Sequence, residues 1–413
     1  MPQSTYRYHH LYSHVANYAT SGTKDIPSVF RQAEALGGTF TRIVRGLPED
    51  SFVNFSPSII KRGDKTLVAW RSQPQPFIFK PNGGYAYANE MPNELYFGYL
   101  QDDQTILGAS KMYRKKHRLS YEDPRLFVAP DNDLYVQFVA SAYASKYARD
   151  ENPYEAKVLV AHLDELGTPT TTVCPPIGQN RIKGKTEKNW CFYPEDGLLY
   201  CLYSVYPLVI EREQGENITL ETRDVLSKVT KNAPTFNSLP PIDLDGPKLI
   251  FYHWKDVRSS ATGFKWLEYK LGAFLVTSDY KKVLAYTEEP LFTGSRDDQL
   301  IMWTNDFGTP VSTQPAVILP FGAYVEGDEL VMSLGVNDAY MGIFRTKLEN
   351  ILNKLKSTTA NSSLPSPSSP KQYQTPPQRD SEAPVGRRES GLAPVYNGLR
   401  QPITIRVGLT HQT

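Results

Sequence analysis

The feature that most constrains the fold is a short unit that recurs five times along the chain. Each unit has a polar residue, an apolar strand, a turn containing Gly, Asp or Asn, and a second strand rich in Tyr, Val and Leu. A short turn between two alternating apolar runs is typical of a β-hairpin. The sequence therefore predicts hairpins that begin near Asn54, Tyr121, Glu187, Asn237 and Gln314.

Further alternating runs lie between the hairpins and predict the outer strands of the same sheets. They are ELYFGYL, AKVLVAHL, ENITLETRDVL and YKLGAFLVTS. The repeat period is somewhat above the roughly 40 to 50 residues of familiar blade families. The pattern favours an all-β fold, a β-propeller with five blades. A β-sandwich is the alternative.

Composition divides the chain into three predicted parts. Residues 1–44 are expected to pack on the propeller as an N-terminal extension, and residues 45–356 to form the propeller itself. Residues 357–413 hold 8 of the 32 prolines and lack a periodic apolar pattern, which predicts a disordered Pro/Ser-rich tail. Just before this tail, MGIFRTKLENILNKLK has apolar residues at helical spacing. It predicts a short C-terminal helix that caps the domain.

Charge and hydropathy exclude several classes of partner. The 45 Lys and Arg residues nearly balance the 44 Asp and Glu residues, which argues against a nucleic-acid partner. No run approaches the roughly 20 apolar residues that span a bilayer. The start of the chain lacks the apolar core of a secretion signal, and its 3 cysteines are too few for a disulfide framework. We therefore predict a cytoplasmic protein with no membrane partner.

Hairpin geometry predicts which side chains share a face. A hairpin returns to the end of the sheet at which it began, so the first and last polar residues of each unit lie at one mouth of a propeller channel. The turns, among them Arg62-Gly63-Asp64, lie at the other mouth. The residues expected together at the first mouth are Asn54, Arg71, Glu122, Asp123, Lys188, Asn189, Ser204, His253, Asn337 and Asp338.

Three motifs in this order resemble those of a known enzyme family. They are YEDPRLF, FYHWKD and EYKLGAFLVTSDYKKVLAYTEEPLF. They resemble glycoside hydrolase family 130, the mannoside phosphorylases and hydrolases, and the related β-mannosyltransferase/phosphorylase group. The resemblance extends roughly from Phe52 to Asp338. It implies a propeller of five blades that breaks or forms a mannosidic bond with inversion, acting on an oligosaccharide or glycan without a cofactor.

The resemblance also implies a role for each matching residue. Asp123 matches the catalytic acid, which protonates the departing glycosidic oxygen directly or through a substrate hydroxyl. His253 and Tyr269 match residues that contact phosphate, and Asn54 and Arg71 match positions that bind sugar hydroxyls. Structural roles are the alternatives, with Asp123 bonded to backbone amides and His253 held as a buried structural histidine.

Side-chain chemistry adds further predicted sugar contacts. The planar fork of Arg125 suits a carboxylate or sugar oxygens. Lys188 and Asn189 can bind hydroxyls, and Trp190 can stack on a pyranose face, although a core tryptophan is the alternative. The predicted substrate-binding set is completed by Glu122 and Asp338.

Two departures from the family pattern concern phosphate. Phosphorylases of the family carry a His-Arg pair at the end of the third hairpin, where this chain has Tyr203 and Ser204. A second basic residue before the fourth hairpin is also missing, unless Lys228 or Lys231 replaces it. Each missing charge-assisted bond would weaken phosphate binding by about 1.5 to 3 kcal/mol. Hydrolysis, transfer from a sugar nucleotide or sugar phosphate, and a non-catalytic glycan-binding propeller therefore stay open beside phosphorolysis.

Other motifs predict no additional site. Gly178–Thr186 imitates a phosphate loop with the wrong spacing. His9, His10 and His14 have no accompanying Cys or carboxylate cluster, so we predict no metal there. Cys191 and Cys201 flank a turn and are expected to be reduced and buried, with a bridge across the hairpin as the alternative. The basic run Lys111–Arg118 is expected to be a solvated loop, with recruitment of an anionic donor as the alternative.

Overall fold

The computed structural model describes most of the first 358 residues of the 413-residue chain. The following predicted segments lie outside the described residues: residues 359–413 of the tail, the loop at 178–186, residues 114–118 of the basic run, and His9, His10 and His14. The described residues are 26–49, 51, 53–73, 77–79, 85–87, 93–113, 119–142, 156–173, 188–259, 265–295, 303–304, 310–311 and 316–358.

The described residues form three helices and 27 strands. In chain order these are α1 (Val29–Ala35), β1 (Thr39–Arg42), β2 (Val53–Arg62), β3 (Lys65–Gln73), β4 (Phe77–Phe79), β5 (Tyr85–Tyr87), β6 (Glu94–Leu100), β7 (Ile106–Lys111), β8 (Leu119–Val128), β9 (Leu134–Ala142), β10 (Ala156–Leu163), β11 (Pro169–Val173), β12 (Cys191–Glu195), β13 (Leu198–Val205), β14 (Leu208–Arg212), β15 (Ile218–Leu220), α2 (Arg223–Thr230), β16 (Thr235–Asn237), β17 (Ile242–Asp243), β18 (Lys248–Ser259), β19 (Lys265–Val276), β20 (Val283–Thr287), β21 (Phe292–Thr293), β22 (Trp303–Thr304), β23 (Pro310–Val311), β24 (Ile318–Glu326), β25 (Glu329–Val336), β26 (Tyr340–Lys347), α3 (Leu348–Leu352) and β27 (Leu355–Ser357).

All five predicted hairpins are present, and each lies in a separate antiparallel sheet. Four of these sheets have four strands, ordered β2-β3-β6-β7, β11-β10-β9-β8, β12-β13-β14-β15 and β1-β26-β25-β24. The fourth hairpin, β17 with β18, belongs to a sheet of seven strands ordered β16-β18-β19-β20-β27, with β17 and β21 beside it. Two small sheets, β4-β5 and β22-β23, complete the described strands.

The five sheets close into a ring through their inner strands. Strand β2 packs on β8, β8 on β12, β13 on β16, β19 on β24, and β24 on β2. This is the propeller-like arrangement that the repeat predicts, and the all-β class is confirmed. The prediction of five blades is corrected, because four sheets have the four strands of a blade while the fourth hairpin belongs to a larger sheet of seven strands.

Three inner strands share an irregularity at the same level of the ring. The pairing register shifts between Phe55 and Ser58 in β2, between Glu122 and Arg125 in β8, and between Pro320 and Gly322 in β24. A β-bulge of this kind bends its strand and turns a side chain out of the regular alternation. The bulges therefore set which residues of the inner strands face the channel.

Two segments differ from the predicted elements. The run MGIFRTKLENILNKLK forms strand β26 up to Lys347, and only Leu348–Leu352 is helical. Pairing of β26 with both β25 and β1 overrides its helical spacing, because it gives backbone hydrogen bonds to both edges of a strand that is largely buried. The run ENITLETRDVL supplies β15, but its last residues open helix α2, where Leu226 packs into the core.

The N-terminal part of the described chain closes the last blade. Strand β1 pairs with β26 as the outer strand of the sheet that β24 and β25 begin. Helix α1 starts after Ser28 and buries Val29 and Ala33 in the same core as Phe344. None of the helices in the described residues is long and apolar enough to cross a bilayer.

Candidate active site

An ion-pair network links three of the sheets at one mouth of the channel. The guanidinium of Arg71, on β3, lies 3.7 Å from Glu122 Oε1 and 3.7 Å from Asp123 Oδ1, both on β8. The same guanidinium lies 4.6 Å from the centroid of the Phe55 ring. Lys188 Nζ, just before β12, is 2.5 Å from Glu122 Oε2. Four predicted site residues thus come together.

Asp123 occupies the bulge of β8 in a left-handed backbone conformation, with φ of 53°. Aspartate is one of the few residues with a side chain that tolerates this region. Its Oδ1 accepts a hydrogen bond of 3.4 Å from Ser56 Oγ, which lies in the matching bulge of β2. The Asp123 side chain keeps 18% of its surface exposed, twice the 9% of Glu122. The bulge therefore presents the Asp123 carboxyl group to the channel mouth.

Asp338 adds a third carboxyl group from the last blade. It follows β25 and also has positive φ, 49°. Desolvation raises the pKa of Asp338 to about 6; Asp123 and Glu122 act in the same direction, while Arg71 and Lys188 oppose the shift. The carboxyl group of Asp338 therefore interacts electrostatically with all four residues of the ion-pair network.

Lys255 is a site residue that the sequence reasoning missed. Its Nζ lies 4.9 Å from the Phe236 ring centroid and 4.8 Å from that of Tyr269. Desolvation and then Lys188 lower the pKa of Lys255, whereas Asp123 and Asp338 raise it. The available signal was strand alternation: His253 and Lys255 are two positions apart in a strand and so share one face.

His253 and Tyr269 form the walls beside Lys255. The His253 ring stacks on Phe236 and Tyr269 at centroid distances of 5.4 and 6.1 Å. Its Nδ1 is 2.9 Å from Ser238 Oγ. Burial, then Lys255 and Arg125, hold the pKa of His253 well below its usual range, and burial raises that of Tyr269. Both rings are therefore neutral near pH 7. Phe236, His253, Lys255 and Tyr269 together line a slot, and its positive charge belongs to Lys255.

Several predicted residues make contacts that hold the framework instead. Asn54 Oδ1 accepts a 2.8 Å hydrogen bond from Trp70 Nε1, and Asn54 Nδ2 donates to Ser51 Oγ at 2.8 Å. Trp190 is 5% exposed and packs edge-on against Phe192 in the core. Their sugar-binding roles stay predictions, and the structure supplies packing reasons for both positions.

Three further residues predicted at the mouth also make contacts within the framework of the fold. Asn189 has positive φ, 64°, and its carbonyl accepts a hydrogen bond from Asn237 Nδ2. Asn337 is fully buried: its Oδ1 accepts from the Val317 amide, and its Nδ2 donates to Ser295 O. Ser204 Oγ accepts from the amide of Tyr206 at 3.2 Å.

Basic residues proposed to replace the missing phosphate ligands lie elsewhere. Lys228 is in the last turn of α2 and Lys231 follows that helix. The helix packs on β20, an outer strand of the seven-stranded sheet, and not at the channel. Among the described residues, Lys255 is a basic residue of this sheet whose charge interacts with Asp123 and Asp338.

Cysteine and metal chemistry contribute nothing further in the described residues. Cys191 and Cys201 are free and fully buried, as predicted. Their strands pair Cys191 with Leu202 and Cys201 with Phe192, so the two cysteines are not cross-strand partners. Within the described ranges, no group of three or more His, Cys, Asp or Glu residues is arranged to hold a metal ion.

Comparison with protein families confirms part of the predicted resemblance. Residues 236–357 match the model of the family Glyco_hydro_130, described as beta-1,4-mannooligosaccharide phosphorylase. The matched segment contains His253, Lys255, Tyr269 and Asp338. The Glu-Asp-Pro-Arg motif with Asp123 precedes the matched segment. Curated proteins give no significant match to the chain.

Solved structures with a similar fold include glycoside-active proteins. A putative glycoside hydrolase from Parabacteroides distasonis is 13% identical, with a TM-score of 0.50 over 74% of this chain and 95% of that one. Beta-1,2-mannobiose phosphorylase from Listeria innocua, in complex with beta-1,2-mannobiose, is 15% identical, with a TM-score of 0.49 over 76% and 96%. MPT-4, a mannose phosphorylase from Leishmania mexicana in complex with phosphate ion, is 11% identical, with a TM-score of 0.46 over 80% and 95%. The first of these likenesses supports the assigned fold.

Proposed function

We propose that this protein is an inverting enzyme that cleaves or forms a mannosidic bond, with Asp123 as the general acid. The observation that carries the proposal is the network of Arg71, Glu122 and Lys188, which holds the Asp123 carboxyl group at a channel mouth. The match of residues 236–357 to a mannooligosaccharide phosphorylase family supports the same class of substrate.

The arrangement of Asp123 suits proton donation to a leaving group. An inverting enzyme needs one carboxylic acid that protonates the glycosidic oxygen while a nucleophile attacks the opposite face of the sugar. Asp123 is partly exposed at the mouth and lies beside Glu122, whose charge is shared between Arg71 and Lys188. Arg71 steadies the Asp123 carboxylate after it has released its proton.

The slot of Phe236, His253, Lys255 and Tyr269 supports phosphate as the nucleophile. A phosphate bound there would meet the Lys255 ammonium and the Tyr269 hydroxyl, which stays protonated as a donor. Lys255 would therefore supply the charge that an arginine supplies in the family and that Tyr203 and Ser204 cannot. This favours phosphorolysis over hydrolysis.

An anomeric-proton NMR time course tests the reaction. The purified protein is incubated with β-1,2- or β-1,4-mannobiose, with and without phosphate. We expect mannose 1-phosphate only when phosphate is present. Mannose released equally without phosphate would make the protein a hydrolase. If neither disaccharide reacts, a parallel incubation with GDP-mannose separates a transferase from a glycan-binding propeller.

The role of Asp123 is tested in the same assay with Asp123→Asn. Removal of a general acid lowers the rate by about 10²- to 10⁴-fold. The matched control is Asp131→Asn, because Asp131 is an exposed aspartate in the turn at the other end of the same hairpin. An unchanged rate for Asp123→Asn would show that another group donates the proton.

A further inference from the structure

The opposite mouth of the channel opens into a second cavity, separate from the candidate active site. This far-side cavity has a volume of about 840 Å³ and is lined by the turn-facing halves of the hairpins of all five sheets. Its walls are mainly apolar and include Ile59, Phe127, Phe192, Leu239 and Phe321. Cavities that bind small molecules are commonly of this size and apolar, with a few polar groups that fix the orientation of the ligand.

Arg125 is a buried charged residue in the lining of this cavity. It follows the bulge of β8 and is only 4% exposed. Its Nη1 donates to the carbonyl of Ser238, and its guanidinium lies 5.2 Å from the Phe321 ring centroid. Among the described residues, Arg125 Nε has no hydrogen-bond partner and the side chain forms no ion pair with a carboxylate.

Several of the other charges at this mouth are paired, while Arg62 donates to the carbonyl of Asn132. Lys61 Nζ lies 3.2 Å from Glu326 Oε1 on the neighbouring blade. Lys248 Nζ lies 2.7 Å from Glu195 Oε1 and 2.9 Å from Asp243 Oδ2. Together with Arg62 and Asp196, these groups give the rim no excess of positive charge, and Arg125 is a buried positive group in the cavity lining. A buried charge without a counter-charge costs several kcal/mol, which an incoming anion would offset.

We propose that the far-side cavity binds a small amphipathic carboxylate. Nη1 donates to Ser238 and Nε is covered by protein, so Nη2 is the N–H group of Arg125 that can donate a charge-assisted hydrogen bond to an oxygen of the carboxylate. The apolar part of the ligand would lie against Ile59, Phe127, Phe192 and Phe321. A sugar fits this lining less well, because its many hydroxyl groups would lose their hydrogen bonds to water on an apolar wall.

Calorimetric titration of the full chain with octanoate and with octanol tests the proposal. The two probes share an apolar chain and differ in charge. We expect octanoate to bind at least about tenfold more tightly, as one charge-assisted interaction provides. Equal affinity of the two probes would overturn the proposal, as would no binding of octanoate.

Variants locate the binding site. Arg125→Met is expected to lower octanoate affinity to that of octanol, whereas the rim variant Arg62→Met is expected to bind octanoate like the wild type. Ala323→Phe narrows the cavity while Arg125 is kept, and is expected to weaken binding of both probes. This variant decides the question if Arg125→Met fails to fold. Unchanged octanoate binding by Ala323→Phe would place the anion at the other mouth and contradict the proposal.

Discussion

At the scale of single residues, Asp338 is expected to make stability depend on pH. Its pKa rises from 3.8 to about 6 on folding, so the folded protein keeps a proton that the unfolded chain has released. The free energy of unfolding therefore falls as pH rises through that window. This shift in pKa lowers the free energy of unfolding by roughly 1 to 3 kcal/mol across the window.

The side chain of Asp338→Asn does not ionise. The variant should therefore not show the fall in the free energy of unfolding that Asp338 causes as pH rises. We expect wild type and variant to converge near pH 4 and the variant to be more stable at pH 7, measured by urea unfolding at both pH values. His253 is present in both proteins, so its own titration cancels in the comparison. Asp131→Asn, an exposed turn variant, serves as the control. A difference that does not change with pH would contradict the assigned shift.

Lys255 is expected to control the affinity for phosphate. If the proposed slot binds phosphate, Lys255→Met should raise the KM for phosphate by about tenfold to a hundredfold, with a smaller effect on the KM for the mannoside. Steady-state kinetics with each substrate varied in turn measures both values. Lys281→Met, an exposed lysine on the β19–β20 connection, is the matched control. A phosphate KM that stays at the wild-type value would remove Lys255 from the slot.

At the scale of elements, two of the bulged inner strands, β24 and β2, approach each other closely. A Cβ atom added at Gly322, on β24, would lie 2.3 Å from the amide nitrogen of Ile59 and 2.5 Å from its carbonyl oxygen, on β2. Because both atoms belong to the backbone, no side-chain rearrangement relieves the contact. The two sheets can approach this closely only with glycine at position 322.

The methyl group added by Gly322→Ala should therefore push the sheets of β24 and β2 apart. We expect a loss of about 3 kcal/mol, the upper part of the range for overpacked cores, seen as a lower urea midpoint. Gly63→Asn is the control, because Gly63 lies in a turn with open space and Asn tolerates its positive φ of 61°. Equal stability of Gly322→Ala and the wild type would show that the sheets have room to move apart.

The hairpins could be predicted from the sequence. The contacts between residues of the candidate site could be predicted only in part. Alternation and turn residues identified all five hairpins, and hairpin geometry brought Arg71, Glu122, Asp123 and Lys188 to one mouth. The bulge that leaves Asp123 with positive φ has no signal in strand alternation. Lys255 was missed because its neighbours, Phe236 and Tyr269, come from strands that only the folded sheet brings beside it.

At the scale of the whole molecule, the ring is closed by both ends of the described chain. The blade formed by β24, β25 and β26 takes its outer strand, β1, from residues 39–42. The same N-terminal part contributes Val29, Ala33, Leu36 and Phe40 to the core shared with Phe344. An unpaired β26 would present a row of free backbone groups, which favours association between chains.

A chain that begins at residue 45 lacks α1 and β1, so its last blade is expected to lose its outer strand. Burial of each large apolar side chain contributes about 1.5 to 3 kcal/mol, so loss of Val29, Leu36, Phe40 and Ile43 removes several kcal/mol. We expect a strongly lowered Tm and oligomers in size-exclusion chromatography. A chain that begins at residue 26 keeps α1 and β1 and is the reference for this comparison. If the chain that begins at residue 45 unfolds like this reference, the last blade is stable with three strands and β1 does not contribute to the stability of the ring.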